Sequence, residues 1–176
     1  MPICITLLKG INVGGHKKIR KEELAALYRS QEFSKVTTYI QSGNVIFSTE
    51  ASDMPDILKK IDEAIEKKFG FRVDLVIRTA KEMQQVLKKN PFPSFDETKL
   101  HVVFLSAPPE NMNSGAAGES TGGKWSLAGR ELYLFCPDGF SKFKFPPELS
   151  EKKMKVVATA RNWNTVNKLF EIAQAL

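Results

Sequence analysis

This 176-residue chain predicts an α+β fold of two subdomains, each an antiparallel sheet with helices on one face. Three observations lead there. Short apolar runs bounded by turn residues alternate with amphipathic helical stretches; the order strand, helix, hairpin, helix, strand fills the first half; and strand, hairpin and helix recur in the second. With 42% hydrophobic and 26% charged residues the composition is that of a folded domain, which excludes disorder, collagen and a coiled coil.

The elements follow in order. Residues 2–8 are a continuous apolar run ending at Lys9-Gly10, as expected of a strand buried on both faces. After a glycine-rich loop, Leu24, Leu27 and Tyr28 recur at helical spacing within residues 21–31. Residues 36–41 and 45–48 alternate around Ser42-Gly43-Asn44, a hairpin signal because Gly and Asn tolerate positive φ. Met54, Ile57, Leu58, Ile61, Ile65 and Phe69 form one helical face, with Ser52 or Asp53 as cap and Gly70 as stop. Residues 72–78 are strand-like, which completes β-α-β-β-α-β, the order of a ferredoxin-like unit. Thr79-Ala80-Lys81-Glu82 is a capping box opening a further helix that stops before Pro91.

Pro91-Phe92-Pro93 is the expected boundary between a first subdomain, residues 1–90, and a second, residues 91–176. The second round comprises a strand at 100–105, a glycine- and serine-rich stretch at 114–123, a hairpin joining 124–127 to 131–136, and a last helix over about 162–175. The glycine-rich stretch reads as a flexible loop, either a lid or a surface insertion.

The formal charge of +6 is concentrated in two segments. Residues 1–35 hold seven Lys and Arg against three acids, a net of +4, and residues 141–161 hold six against two, again +4. Brought together, they would form a basic face that attracts phosphates; apart, they are ordinary solvated surface.

Three blocks carry candidate chemistry. Gly10, Gly14 and Gly15 lie between strand and helix, where backbone N–H groups can face an anion or merely solve a turn. The spacing fits neither dinucleotide nor Walker-type loops. Arg20 and Lys21 near the helix start oppose its dipole, a small cost that argues for use. Tyr39, Gln41, Ser42 and Asn44 crowd the hairpin end. In the third block, Thr159-Ala160-Arg161-Asn162-Trp163-Asn164-Thr165-Val166-Asn167, three Asn crowd the first turns of the last helix against local propensity, and Arg161 sits at the positive end of its dipole. The block's polar groups then bind either a ligand or the protein's own interior. Ser141-Lys142-Phe143-Lys144-Phe145 alternates cations with aromatics, as a base-stacking surface or a half-buried edge strand does.

Enzyme templates are missing. His16 and His101 are the only histidines, no metal-ligand spacing occurs, and Cys4 and Cys136 sit in apolar runs that suit reduced core thiols. No cofactor, metal or catalytic residue is therefore assigned. No apolar run approaches the ~20 residues of a membrane span, and Met1-Pro2-Ile3-Cys4 enters a strand with no charged leader, so a cytoplasmic protein without a membrane partner is expected.

Lys9-Gly10-Ile11-Asn12-Val13-Gly14-Gly15, Tyr39-Ile40-Gln41-Ser42-Gly43-Asn44-Val45 and Thr159-Ala160-Arg161-Asn162-Trp163-Asn164-Thr165-Val166 resemble, in order, the three signature blocks of a bacterial family, domain of unknown function 1697. The resemblance implies a bacterial cytosolic protein of two ferredoxin-like subdomains, and supplies no activity. Lys9 stands where Arg is expected, which keeps the charge and loses the bidentate fork. Pro146 and Pro147 interrupt a helix that the family pattern places there.

The expected function is binding of a phosphate-bearing ligand, nucleotide or nucleic acid, by Lys9, Gly10, Asn12, Gly14, Gly15, Tyr39, Gln41, Ser42, Asn44, Arg161, Asn162 and Asn164. An interaction module or homo-oligomer without catalysis, and an enzyme on a small anionic substrate, are the alternatives.

Overall fold

The computed structural model describes residues 1–40 and 43–176. The chain divides into two compact units: unit 1 is Met1–Met83 with Leu169–Leu176, and unit 2 is Gln84–Lys168.

Unit 1 runs β1 (Ile3–Leu8), α1 (Lys21–Ser30), β2 (Ser34–Tyr39), β3 (Asn44–Ser48), α2 (Met54–Phe69) and β4 (Leu75–Thr79). Its strands lie antiparallel in the order β2-β3-β1-β4, the arrangement that the β-α-β-β-α-β order predicts. Cys4, Leu8, Val45, Phe47 and Ile77 on one face of the sheet pack with Leu24, Leu27 and Tyr28 of α1 and Ile57, Ile61 and Ile65 of α2. The opposite face, Ile5, Leu7, Ile46, Val76 and Arg78, is buried too, which is why β1 is apolar at nearly every position. Thr6 is a fully buried polar residue on the core face, and its hydroxyl shares a 2.7 Å hydrogen bond with Tyr28 Oη.

The helix ends follow the local signals. Asp53 Oδ1 accepts from the Asp56 N–H at 3.1 Å, and Gly70 closes α2 in the left-handed conformation. The Thr79–Glu82 capping box is reciprocal: Glu82 Oε2 accepts from Thr79 N at 2.8 Å, and Thr79 Oγ1 from Glu82 N at 3.1 Å. It opens α3 (Ala80–Lys88), along which the chain passes into unit 2.

Unit 2 runs β5 (Leu100–Leu105), β6 (Ala117–Ser120), β7 (Gly123–Ala128), β8 (Glu131–Phe135), α4 (Glu151–Met154) and β9 (Ala158–Asn162), which leads into α5 (Trp163–Ala175), whose residues from Leu169 on belong to unit 1. The antiparallel order is β6-β7-β8-β5-β9. Its last four strands repeat the order of unit 1: β7, β8, β5 and β9 stand where β2, β3, β1 and β4 stand. Where α1 separates the first two strands of unit 1, unit 2 has a loop and the edge strand β6. Val103, Leu105, Trp125, Leu127, Leu132 and Leu134 form the core, with Phe143, Leu149 and Met154 packed on them.

Two expectations change here, and one strand is added. The stretch 114–123 is no flexible loop, because residues 117–120 pair with β7; a Cβ on Gly118 would stand 3.0 Å from the Trp125 indole, so the glycine lets that ring lie against the strand. Just before the last helix, Ala158–Asn162 form β9, a strand the sequence reading did not include, which completes its hydrogen bonds on β5 with Arg161 opposite Val102. The segment 141–145 is likewise no edge strand: a 3-10 turn, Phe140–Lys142, leads into an extended stretch ending at Pro146.

Candidate functional site

The first block builds a small tied loop. Ile11 and Ile19 are buried in the core of unit 1 and anchor its two ends. Between them the Asn12 amide bonds both backbone groups of Ile19: Oδ1 accepts from Ile19 N at 2.9 Å, and Nδ2 donates to Ile19 O at 3.0 Å. The tip is a tight turn in which His16 N donates to Val13 O at 3.0 Å. Gly14 at φ 57° and Gly15 at φ 76° supply the two positive φ values such a turn requires. Lys17 Nζ reaches the Arg72 carbonyl at 2.8 Å. So two of the three glycines, and Asn12, hold the loop's own geometry.

What the loop presents outward is cationic. Lys17, Lys18, Arg20 and Lys21 are exposed, with His16 beside them. Asn12, Gly15, Lys18, Arg20 and Lys21 line an open cleft of about 620 Å³ at the start of α1, together with Glu22 and Glu23 of its first turn. Arg20 holds the N-cap position, and its side chain makes no capping hydrogen bond.

The second block meets the first. The Gly43 carbonyl accepts from Leu8 N at 2.8 Å, and a Cβ at Gly43 would stand 2.7 Å from Leu8 Cβ and 2.8 Å from Ile11 Cδ1. The hairpin end therefore rests on the end of β1 and the root of the loop. Asn44 is fully buried opposite Leu7, and its Nδ2 donates to the Tyr39 carbonyl at 2.9 Å. Tyr39 is half-buried, and Ile40 holds φ 51°, a strained value for a β-branched residue. Lys9 is half-buried, its N–H bonded to Asp74 O at 2.9 Å, and Gly10 is exposed. Gln41 and Ser42 lie outside the described residues.

The third block lies in unit 2. Arg161 is buried in β9, where Nη1 donates to Thr159 Oγ1 at 2.9 Å and to the Ala160 carbonyl at 2.8 Å. Burial pulls its pKa down to about 10, so the guanidinium stays charged at neutral pH. Asn162 Oδ1 accepts from Thr165 N at 2.8 Å and is the N-cap of α5. Asn164 is exposed, and Asn167 Nδ2 donates back to the Trp163 carbonyl at 2.9 Å. The crowding of polar residues thus has a local account: one strand arginine, one cap, one back-bonded side chain and one surface residue.

Sequence reasoning missed Arg78. It is 1% exposed in β4, opposite Ile5, and its Nη1 donates to the Ile77 carbonyl at 2.9 Å. Its signal was an arginine directly before a helix-capping residue, Arg78-Thr79, repeated as Arg161-Asn162.

Among the described residues no group of His, Cys, Asp and Glu could hold a metal ion, and no helix is long and apolar enough to cross a membrane. Cys4 and Cys136 are free and buried.

Fold and site together define an α+β protein of two antiparallel sheets, each with helices, carrying a cationic loop at the start of α1. The chain belongs to the DUF1697 family, proteins of unknown function, whose model matches residues 1–133. No curated protein matches it. Among solved structures it is similar to a conserved bacterial protein, SP0830 from Streptococcus pneumoniae. The two share 21% identity over 98% of each chain, with a TM-score of 0.70, a likeness of fold.

Proposed function

We propose that this protein binds a phosphate-bearing ligand, nucleotide or nucleic acid, at the cationic loop of unit 1. The observation that carries the reading is the start of α1. Its first N–H groups have no side-chain cap and open on a cleft where Lys18, Arg20 and Lys21 stand with Glu22 and Glu23, three cations against two carboxylates. Cations at a helix N-terminus are unfavourable by a few tenths of a kcal/mol each; Glu22 and Glu23 offset two of the three, the remaining positive charge favours an added anion, and the uncapped N–H groups beside it would complete a phosphate site. Lys9, Asn12, Gly14 and Gly15 then serve by shaping and extending the loop, and Tyr39 and Asn44 by holding the hairpin against its root.

The test is fluorescence anisotropy of a labelled single-stranded 12-mer, titrated at several salt concentrations and competed with ATP. Binding should weaken steeply with salt, by about 0.7 in log–log slope per phosphate contact. Changing Lys18, Arg20 and Lys21 together to Gln should flatten that slope by about two units. Salt-independent binding, or a triple variant that binds as the wild type does, would overturn the reading.

A further inference from the structure

We infer that unit 2 carries a base-stacking platform for single-stranded nucleic acid, made by Phe140 and Phe145 and flanked by Lys142 and Lys144. These residues are separate from the loop of unit 1, so the inference goes beyond the phosphate site proposed there.

Phe140 and Phe145 are 37% and 40% exposed, and their rings meet edge to face at 6.1 Å. Single exposed aromatics are ordinary; two in contact, with an exposed lysine preceding and following the buried Phe143 between them, are not. The imidazole of His101 stacks beneath Phe140 at 5.0 Å with an interplanar angle of 30°. The Nδ1 atom of His101 is buried with no hydrogen-bond partner among the described residues, while the side chain also bonds to the backbone of Lys99, which helps to fix the ring. The stack His101–Phe140 is thus covered on one side, and an incoming base would extend it on the other, with Phe145 as the lateral wall.

The platform is held in place before any ligand arrives. Gly139 N bonds to Cys136 O at 3.0 Å, Phe143 N to Phe140 O at 3.1 Å, and Lys144 N to Thr121 O at 2.9 Å. Phe143 is 5% exposed in the core and meets the Phe145 ring edge-on at 4.9 Å. Little ordering entropy is left to lose on binding. Rings with a free π-face beside cations are the chemistry that holds unpaired bases and their phosphates. A duplex, whose base faces are already stacked, would not use it.

The test compares a labelled dT12 with an abasic 12-mer of equal phosphate count, in wild type, Phe140→Leu, Phe140→Tyr, Phe145→Leu and the Lys18/Arg20/Lys21→Gln variant, each checked for folding by circular dichroism. Wild type should bind dT12 about tenfold more tightly than the abasic strand, within the range expected for stacking one base. Phe140→Leu and Phe145→Leu should erase that preference and leave abasic binding unchanged, whereas Phe140→Tyr should keep it. The loop variant should leave the roughly tenfold preference for dT12 in place. Equal affinity of wild type for the two strands, a preference that survives Phe140→Leu, or no binding of dT12 at all would overturn the platform. Salt-dependent binding that the loop variant removes, with no preference for bases, would overturn the platform and leave the loop reading standing.

Discussion

Arg78 and Arg161 occupy the same place in two different sheets. Each is the fourth residue of a five-residue strand, opposite the third residue of a central strand: Ile5 for Arg78 and Val102 for Arg161. Each is buried, donates from Nη1 to the carbonyl of the residue before it, and is followed by the residue that caps the next helix, Thr79 or Asn162. With the shared strand order this makes unit 2 a structural repeat of unit 1, in which a loop and β6 replace the first helix.

Because a buried guanidinium needs all its hydrogen-bond partners, either arginine should resist replacement. Arg78→Ala and Arg161→Ala should each cost about 3 kcal/mol of stability, from stranded acceptors and lost packing. Arg→Lys should recover little of it, since an ammonium cannot reproduce the planar fork. Urea unfolding of the four variants checks this; a loss below about 1 kcal/mol in either Ala variant would refute it.

Gly43 and Gly10 both hold positive φ, 88° and 69°, yet their surroundings differ. A Cβ at Gly10 meets nothing within 4 Å, so Gly10→Ala should cost only the left-handed strain, about 1 kcal/mol. At Gly43 the same atom collides with Leu8 and Ile11, and Gly43→Ala should cost about 3 kcal/mol while shifting NMR resonances of the loop root. Equal losses in thermal unfolding would show that the two blocks do not pack as described.

Alkaline pH should unfold the protein through its buried acids. Burial pushes the thiols of Cys4 and Cys136 from 9.0 up to about 11, with the charge of Glu82 a second cause at Cys4. Burial also raises Tyr28 and Tyr133 well above the ordinary phenol range. A folded-state pKa above the unfolded value means the unfolded chain gives up its proton first. The contribution is fully present below pH 9 and is lost as pH rises toward 11 and beyond, by up to about 3 kcal/mol per thiol. Arg161, lowered to about 10, acts in the opposite sense above that pH, but as one group against four. Denaturant midpoints measured from pH 7 to 11 should fall, and less steeply in Cys4→Ala/Cys136→Ala; a flat profile would contradict this.

Legibility varied with how local each signal is. β1 and β5 were readable from uninterrupted apolar runs, and α2 from its stripe between Asp53 and Gly70. β6, Ala117-Gly118-Glu119-Ser120, has no apolar run, because an edge strand is defined by the partner it pairs with. β9 was hidden for the same reason: Ala158 to Asn162 is unremarkable until β5 offers its edge. Of the candidate site, the meeting of loop and hairpin at Gly43 depends on Leu8 and Ile11, which nothing in the local sequence relates to it. The structural duty of Asn12 and Asn162 was hidden likewise, since an amide that ties backbone and one that binds a ligand are the same residue.

The amino-acid order by itself determined the α+β class, most helix ends and the placing of positive charge, because apolar periodicity, capping residues and net charge are properties of neighbouring residues. Only the tertiary structure decided that unit 2 repeats the strand order of unit 1, that Arg78 and Arg161 are buried counterparts, and that Phe140 lies over His101. Those relations join residues far apart in the chain, and they exist only once strand pairing and burial have removed the intervening water.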